Sequence, residues 1–185
     1  MSSSTLQRII GLTGGIATGK TTVSNYLATR SCKVLDADLY AREAVEPSSV
    51  RLSAIAQRYG PDLVQADGTL DRPKLAQIIF QDELEKQWLE ALIHPYVRDR
   101  LESARDALSH ERILVMAIPL LFEAQMTDLV SETWVVTCTE ATQLSRLMHR
   151  DGLTQAQAQA RIASQWPLEE KCDRADVVIH NGTDL

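Results

Sequence analysis

The chain has 185 residues, of which 44% are hydrophobic and 24% are charged, and its net charge at pH 7 is −6. Such a length and composition indicate one compact globular domain, with room for a small inserted subdomain. The acidic balance argues against a non-specific nucleic-acid binder. The three cysteines form no C-x-x-C pair, which argues against a disulfide framework and against a zinc site.

The chain begins with a segment that shows no targeting signal, because "MSSST" lacks the apolar core of a signal peptide. The longest apolar run, 113–122, is about half the length of a membrane span. We therefore expect a cytoplasmic protein that binds neither membrane nor nucleic acid. We also expect a monomer.

The elements of the first part of the chain alternate between strand and helix. An apolar run at 8–13 predicts a strand, and 20–29 predicts a helix with apolar residues at helical spacing. A second strand is predicted at 33–38 and a helix at 39–45. Between the first strand and the first helix lies the glycine-rich segment "GGIATGKT", 14–21.

The middle of the chain contains helical patterns and no clear strand. Helices are predicted at 49–59, 73–80 and 82–93, followed by a helix that starts at Pro95. Because the residue before a proline avoids helical geometry, we predict a break at His94. The block 49–109 is thus expected to be a helical insertion at one end of the sheet.

The last part of the chain returns to strand and helix alternation. Strands are predicted at 112–119, 133–138 and 176–180, and helices at 140–149 and 154–165. All five predicted strands are continuous apolar runs, which is typical of a parallel sheet covered on both faces. The prediction is an α/β fold with a five-stranded parallel sheet flanked by helices.

The glycine-rich segment 14–21 fits the phosphate-loop pattern G-x-x-x-x-G-K-[ST] at every fixed position. Its glycines allow backbone N–H groups to converge on phosphate oxygens, and the following helix adds its positive end. Lys20 would reach the terminal phosphates, and the Thr21 hydroxyl would ligate Mg²⁺. The absence of G-x-G-x-x-G argues against a nicotinamide or flavin enzyme, and the absence of N-K-x-D argues against a GTPase.

Carboxylates follow two of the predicted strands. Asp36 and Asp38 are two residues apart, so in an extended chain both lie on one side, and Glu123 follows the third strand. A carboxylate beside the phosphates either orients water on Mg²⁺ or accepts a proton from an acceptor hydroxyl, and both roles stay open. Either aspartate could instead cap the helix predicted at 39–45.

Arginines cluster late in the sequence. Arg146 and Arg150 share a helix face, and Arg161 lies on the next predicted helix. A helical hairpin with arginines is typical of the lid of small-molecule kinases, where they neutralise the transferring phosphoryl group. A solvated helix face is the alternative.

Motifs along nearly the whole chain, in the same order, resemble those of the dephospho-coenzyme A kinase family. The matching segments are "GLTGGIATGKTTVSNYL", "VLDADLYAREAVEP", "YGPDLVQADGTLDRPKLAQIIF", "LEALIHP", "IPLLFEAQM", "TQLSRLMHRDGLT", "ARIASQW" and "ADVVIHNG". The resemblance implies transfer of the ATP γ-phosphoryl group to the ribose 3′-hydroxyl of dephospho-CoA, with Mg²⁺. It also implies a P-loop NTPase core at 6–48, 110–140 and 172–185, a helical CoA-binding subdomain at 49–109 and a lid hairpin at 141–171.

The resemblance further implies roles for single residues. Asp38 would be the general base, and Lys20 and Arg146 would act on the transferred group. The residues implied to bind ATP are Gly14, Gly15, Ala17, Thr18, Gly19, Lys20, Thr21, Thr22, Arg150 and Asn181. Those implied to bind dephospho-CoA are Asp38, Arg42, His94, Pro95, Leu120, Leu121 and Glu123. His94 could instead cap a helix, and the two leucines could belong to the core.

Two rival functions remain at the level of the sequence. One is another small-molecule or nucleotide kinase of the same fold, which "PLLFE" and the "HP" pair disfavour. The other is a nucleotide-binding regulatory module without transfer activity, against which Asp38, Glu123 and the late arginines argue. ATP binding without ADP release would support the regulatory module.

Overall fold

A computed structural model describes residues 7–79 and 82–182 of the protein and divides the chain into two compact units. The helical unit is Ala37–Ser103, and the sheet unit is the rest of the described chain. The helical unit therefore begins earlier than the insertion expected at 49–109, and it also ends earlier, at Ser103.

Five parallel strands form the centre of the sheet unit, as predicted. They are β1 Arg8–Gly14, β2 Lys33–Asp36, β3 Ile113–Ala117, β4 Glu132–Thr137 and β5 Val177–His180, in the order β2-β3-β1-β4-β5. In the central strand, Ile10 pairs with Val115 on one side and Glu132 on the other. Ile10, Val115 and the fully buried Leu12 and Val136 form an apolar cluster against the flanking helices.

The helices follow most of the predicted positions. They are α1 Lys20–Thr29, α2 Ala37–Glu43, α3 Val50–Tyr59, α4 Arg72–Ile79, α5 Glu83–Ala107, α6 Glu140–Asp151, α7 Gln155–Ala163 and α8 Leu168–Asp173. Side-chain caps explain several starts, because Ser49, Thr139 and Thr154 each accept a hydrogen bond from the backbone N–H three residues later. The short helix α8 was not predicted.

Helix α5 runs without a break through Pro95, so the predicted break at His94 is wrong. Proline leaves the Ala91 carbonyl without its helical donor, and Arg51 donates from Nε to the neighbouring Leu92 carbonyl at 3.3 Å. The same guanidinium lies 4.3 Å from the centroid of the Tyr96 ring. Contacts from α3 thus stabilise α5 on both sides of the proline.

Asp36 and Asp38 do not share one extended strand, so the expectation that both lie on one side of an extended chain is wrong. Strand β2 ends at Asp36 and α2 begins at Ala37, so Asp38 lies in the first turn of a helix. Ala37 is buried, and a carboxylate near a helix N-terminus interacts favourably with the helix dipole. Both effects favour the earlier start of the helix.

The helical unit has an apolar core of its own. Leu52 and Ile55 of α3, Leu63, Leu75 of α4 and Leu89 of α5 are all buried in it. None of the helices in the described part of the chain combines the length and apolar character that a transmembrane helix needs.

Candidate active site

The phosphate loop, residues 14–21, connects the carboxyl end of β1 to the amino end of α1. From β1 the chain continues to β2 on one side, whereas β3 continues to β4 on the other side of β1. The loop therefore lies at the point where the strand order reverses, which is where open parallel sheets bind ligands.

The backbone of the phosphate loop is tightly curled. Ala17 has φ 60° and Gly19 has φ 96°, so both adopt left-handed conformations, and the first of them is not glycine. Between them Thr18 is fully buried and donates from both its hydroxyl and its N–H to the Gly15 carbonyl, at 2.9 and 3.3 Å. These bonds fix the turn inside the loop.

This curl leaves several backbone donors unpaired. Within the described part of the chain, the N–H groups of Ala17, Gly19, Lys20 and Thr21 have no hydrogen-bond acceptor. Those of Lys20 and Thr21 also form the positive first turn of α1. The Lys20 ammonium has no carboxylate partner among the residues that the structure describes. Such a group of donors fits a polyphosphate.

Asn181, which follows β5, packs against the back of the phosphate loop. Its side-chain amide donates to the Thr18 carbonyl at 2.9 Å, and its backbone carbonyl accepts from Arg146 Nη1 at 3.0 Å. A Cβ at Gly19 would overlap the Asn181 amide. The structure thus brings four of the predicted site residues together: Thr18, Gly19, Arg146 and Asn181.

Two glutamines that the sequence analysis did not single out bind the loop at Ile16. Gln165 accepts from the Ile16 N–H at 2.8 Å, and the Gln143 amide donates to the Ile16 carbonyl at 2.7 Å. Gln143 is buried on the same face of α6 as Leu147. A polar residue on the apolar face of a helix is the one signal that the sequence offered.

Arg150 lies one turn beyond Arg146 and is bound by a carboxylate. Its Nε is 2.7 Å from Asp151 Oδ1, and Arg161 Nη1 of α7 is 2.8 Å from Asp151 Oδ2. The Arg150 guanidinium lowers the pKa of Asp151 below its usual value. The α6–α7 hairpin therefore has an arginine pair around one aspartate.

The segment after β3 contacts the end of β1 beside the phosphate loop. The Thr13 hydroxyl donates to the Pro119 carbonyl at 2.9 Å. Leu121 is fully buried, as expected of a core residue, whereas Leu120 is half-buried. Glu123 forms an ion pair with Lys171 of α8, with 2.6 Å between Oε1 and Nζ.

The other predicted site residues lie in the helical unit. Asp38 is exposed in the first turn of α2, Arg42 is exposed in its last turn, and Pro95 is exposed on α5. His94 is half-buried in the interior of α5 and so caps no helix end. Burial lowers its pKa, against an opposing effect of Glu90. Burial therefore favours the neutral form of this imidazole.

The described residues contain no cluster of three or more histidine, cysteine, aspartate or glutamate side chains arranged to bind a metal ion. Mg²⁺ seldom needs such a cluster, because it binds through one or two protein oxygens together with substrate phosphates. The exposed hydroxyl of Thr21 at the start of α1 and the Asp36 carboxylate at the end of β2 are suitable oxygen ligands. The chain therefore fits a magnesium-bound triphosphate.

Comparisons with known proteins agree along nearly the whole chain. A family model described as dephospho-CoA kinase matches residues 8–185. The chain is 60% identical to the dephospho-CoA kinase of Trichormus variabilis, over 97% of this chain and 91% of that protein. A crystal structure from Thermus thermophilus aligns with TM-score 0.81 at 34% identity, covering 97% of this chain and 91% of the other. Dephospho-CoA kinase from Campylobacter jejuni aligns with TM-score 0.70 at 27% identity, covering 97% and 90%.

Proposed function

The chain belongs to the dephospho-CoA kinase family, and from that premise we propose that it transfers the γ-phosphoryl group of ATP to the ribose 3′-hydroxyl of dephospho-CoA, with Asp38 as the general base. Family membership gives the coarser statement directly: the protein is a dephospho-CoA kinase, uses ATP and acts in the last step of coenzyme A biosynthesis. The metal and the roles of single residues belong to the proposal.

The observation that carries the proposal is a set of donors without a partner among the residues that the structure describes: the N–H groups of Ala17, Gly19, Lys20 and Thr21 and the Lys20 ammonium. Phosphoryl transfer depends mostly on positioning and on neutralising negative charge, so fixed donors matter more than covalent chemistry. Because the loop is already curled, its amides need little rearrangement to bind phosphate oxygens.

The sheet unit supplies the groups for the nucleotide. We assign the phosphates to the loop from Gly14 to Thr22, with Lys20 on the terminal phosphates and the Thr21 hydroxyl as a ligand of Mg²⁺. When bound, Mg²⁺ neutralises charge on the phosphates. Arg146 supplies positive charge next to Asn181, and Arg150 does so from the proposed lid, α6 and α7.

The remaining assignments concern the acceptor. Asp38 is an exposed carboxylate, able to accept the proton that the attacking hydroxyl loses. Arg42 supplies positive charge for acceptor phosphates, His94 offers a polar contact, and Pro95 offers an apolar one. Leu120, Leu121 and Glu123 shape the segment after β3. We assign CoA binding to the helical unit.

The test is ADP release from Mg·ATP with dephospho-CoA, AMP, adenosine and pantetheine supplied as separate acceptors. We expect release with dephospho-CoA alone, and the product should have one more phosphate than the acceptor. Release with another acceptor only would keep the nucleotide site and overturn the acceptor. ATP binding without release from any acceptor would indicate a regulatory module.

The position of the new phosphate needs a separate measurement, because dephospho-CoA has a 2′- and a 3′-hydroxyl on the same ribose. Phosphorus NMR of the product, compared with authentic coenzyme A, distinguishes the two esters. A 2′-phosphate would overturn the proposed regiochemistry while leaving the kinase activity intact.

A further inference from the structure

Lys171, in the last turn of α8, is fully buried although it has a charged side chain. Its Nζ lies 2.6 Å from Oε1 of Glu123, which is remote in sequence and lies in the segment after β3. Lysine is almost never fully buried unless it is paired. This ion pair is therefore a specific feature of the fold rather than a surface contact.

The geometry of the pair does not favour a purely stabilising role. Within the described part of the chain, neither Lys171 Nζ nor Glu123 Oε2 has a partner in good hydrogen-bond geometry, although both atoms are buried. A buried ion pair loses much of its attraction to desolvation, and apolar residues of similar size are often at least as stable. A role in fixing the position of neighbouring segments accounts for the pair better.

The position that the pair fixes is that of the turn between α7 and α8. Glu123 Oε1, the atom that contacts Lys171, also accepts a hydrogen bond from the backbone N–H of Trp166 at 3.3 Å. The Trp166 ring is stacked on Phe122, with 6.5 Å between centroids and 4° between planes, and Arg174 lies 4.9 Å from the Trp166 centroid. The backbone and the ring of Trp166 are thus both anchored to the segment after β3.

The residue before Trp166 contacts the phosphate loop directly. Gln165 accepts from the Ile16 N–H at 2.8 Å, within the turn where Thr18 bonds to Gly15. Displacement of Trp166 would move Gln165 and release the Ile16 amide. A chain of contacts therefore runs from Lys171 through Glu123, Trp166 and Gln165 to the loop.

We propose that Lys171 is a positioning residue for the nucleotide site, which acts through Glu123 and Gln165 to keep the phosphate loop in its phosphate-binding shape. The proposal rests on the proposed function, since it assumes that the loop binds ATP. It concerns binding of the nucleotide and assigns Lys171 no contact with substrate.

A double-mutant cycle tests the proposal. The dissociation constant of Mg·ATP is measured by calorimetry for wild type, Lys171→Met, Gln165→Ala and the double variant. Each single change should raise the dissociation constant about tenfold. The dissociation constant of the double variant should be no larger than that of the single variant that binds less tightly. Lys33→Met, an exposed lysine of β2, is the matched control and should bind as wild type does.

Two further variants separate positioning from folding. Lys171→Arg keeps the charge beside Glu123 and should restore most of the binding. Lys171→Met combined with Glu123→Met removes the buried charges, so its melting temperature should recover toward the wild-type value. It also removes the acceptor for Trp166, so ATP binding should stay weakened.

Either of two results would overturn the proposal: multiplicative weakening in the double variant, or ATP affinity that recovers together with stability in the Met–Met pair. Failure of the proposed function gives a different result. A wild-type chain that binds Mg·ATP but releases no ADP with dephospho-CoA overturns that function and leaves the inference standing. A wild-type chain that does not bind Mg·ATP overturns both.

Discussion

At the scale of single residues, the two aspartates at the end of β2 and the start of α2 have different surroundings and should differ in function. Asp36 ends the strand, whereas Asp38 is exposed in the first turn of α2. If Asp38 is the base, Asp38→Asn should reduce kcat by about 100- to 10,000-fold, because the amide cannot accept the proton. The Kd of Mg·ATP should stay within about twofold of the wild-type value, since the phosphates bind elsewhere.

Asp36→Asn is the comparison that makes this experiment decisive. A ligand of Mg²⁺ or of its water should change the dependence of the rate on the metal concentration, which the base should not. A normal kcat in Asp38→Asn would remove Asp38 as the base. Equal losses of kcat in both variants, with the same metal dependence, would also contradict a single base.

The conformation of Gly19 permits a prediction about stability. A Cβ there meets the Asn181 amide, and φ is 96°. Gly152, at the end of α6, also has positive φ, 65°, but a Cβ there meets no atom of the described residues within 4 Å. Gly152→Ala should therefore lose only about 1 kcal/mol of unfolding free energy, from backbone strain. Gly19→Ala should lose roughly 1 to 3 kcal/mol more, because the collision adds to the strain.

Urea denaturation of both variants measures this difference directly. The denaturant slope m should be unchanged, so that the shift in midpoint reports stability alone. Equal losses in the two variants would show that the loop relaxes away from Asn181 at no cost.

The phosphate loop could be predicted because its chemistry requires neighbouring residues in a fixed spacing. Gln143, Gln165 and Lys171 could not be assigned in this way. Each contacts a residue far away in the sequence, such as Ile16 or Glu123, and a single sequence records no such pair. Long-range polar contacts are therefore the part of the site that only the structure reveals.

At the scale of helices and strands, the comparison of expectation with structure is clearest in α5. A break was predicted at His94 because the residue before a proline avoids helical geometry, and a proline in a helix interior also costs about 3 kcal/mol. Burial of Leu89, Val97 and Leu101 along the same helix contributes roughly 1.5 to 3 kcal/mol for each side chain. Tertiary packing therefore exceeds the local penalty, and no local pattern could have shown this.

The contact between α3 and α5 predicts a pH dependence of stability. Glu85 of α5 accepts hydrogen bonds from Arg58 and from the Tyr59 hydroxyl, which lower its pKa to about 2. In the unfolded chain a glutamate titrates near 4.3. The ionised form is thus favoured in the folded state, so its contribution is fully present above pH about 4.5 and is lost as the pH falls toward 2.

Glu85→Gln should accordingly be less stable than wild type at pH 7, and the difference should shrink as the pH falls from 5 to 2.5. Chemical denaturation at several pH values measures this convergence. Glu83→Gln, an exposed position in the same turn of α5, is the control and should show a smaller difference. A gap between Glu85→Gln and wild type that does not depend on pH would show that ionisation of Glu85 contributes nothing.

At the scale of the whole molecule, the fold class could be predicted but the arrangement of the strands could not. Continuous apolar runs that alternate with helical patterns indicate a covered parallel sheet. The order β2-β3-β1-β4-β5 depends on which runs pair, and five similar apolar runs do not encode that choice locally. The start of α2 at Ala37 was also not predicted, because it falls inside the pattern that predicted an extended "DAD".

Binding of Mg·ATP should stabilise the folded chain, because ligands that bind only the native state shift the unfolding equilibrium. At a free concentration 100 times the Kd, the gain is about 2.7 kcal/mol, which corresponds to roughly 5 to 10 °C in melting temperature for a chain of this size. In Lys20→Met the loop loses the Lys20 ammonium, and binding about 100-fold weaker would leave a gain of only about 0.4 kcal/mol.

Thermal unfolding at matched Mg·ATP concentrations, with Lys33→Met as the control, measures both values. All four backbone N–H groups that lack an acceptor among the described residues, including that of residue 20, remain in Lys20→Met, so a small shift should persist. Equal shifts in wild type and Lys20→Met would instead place the nucleotide outside the phosphate loop.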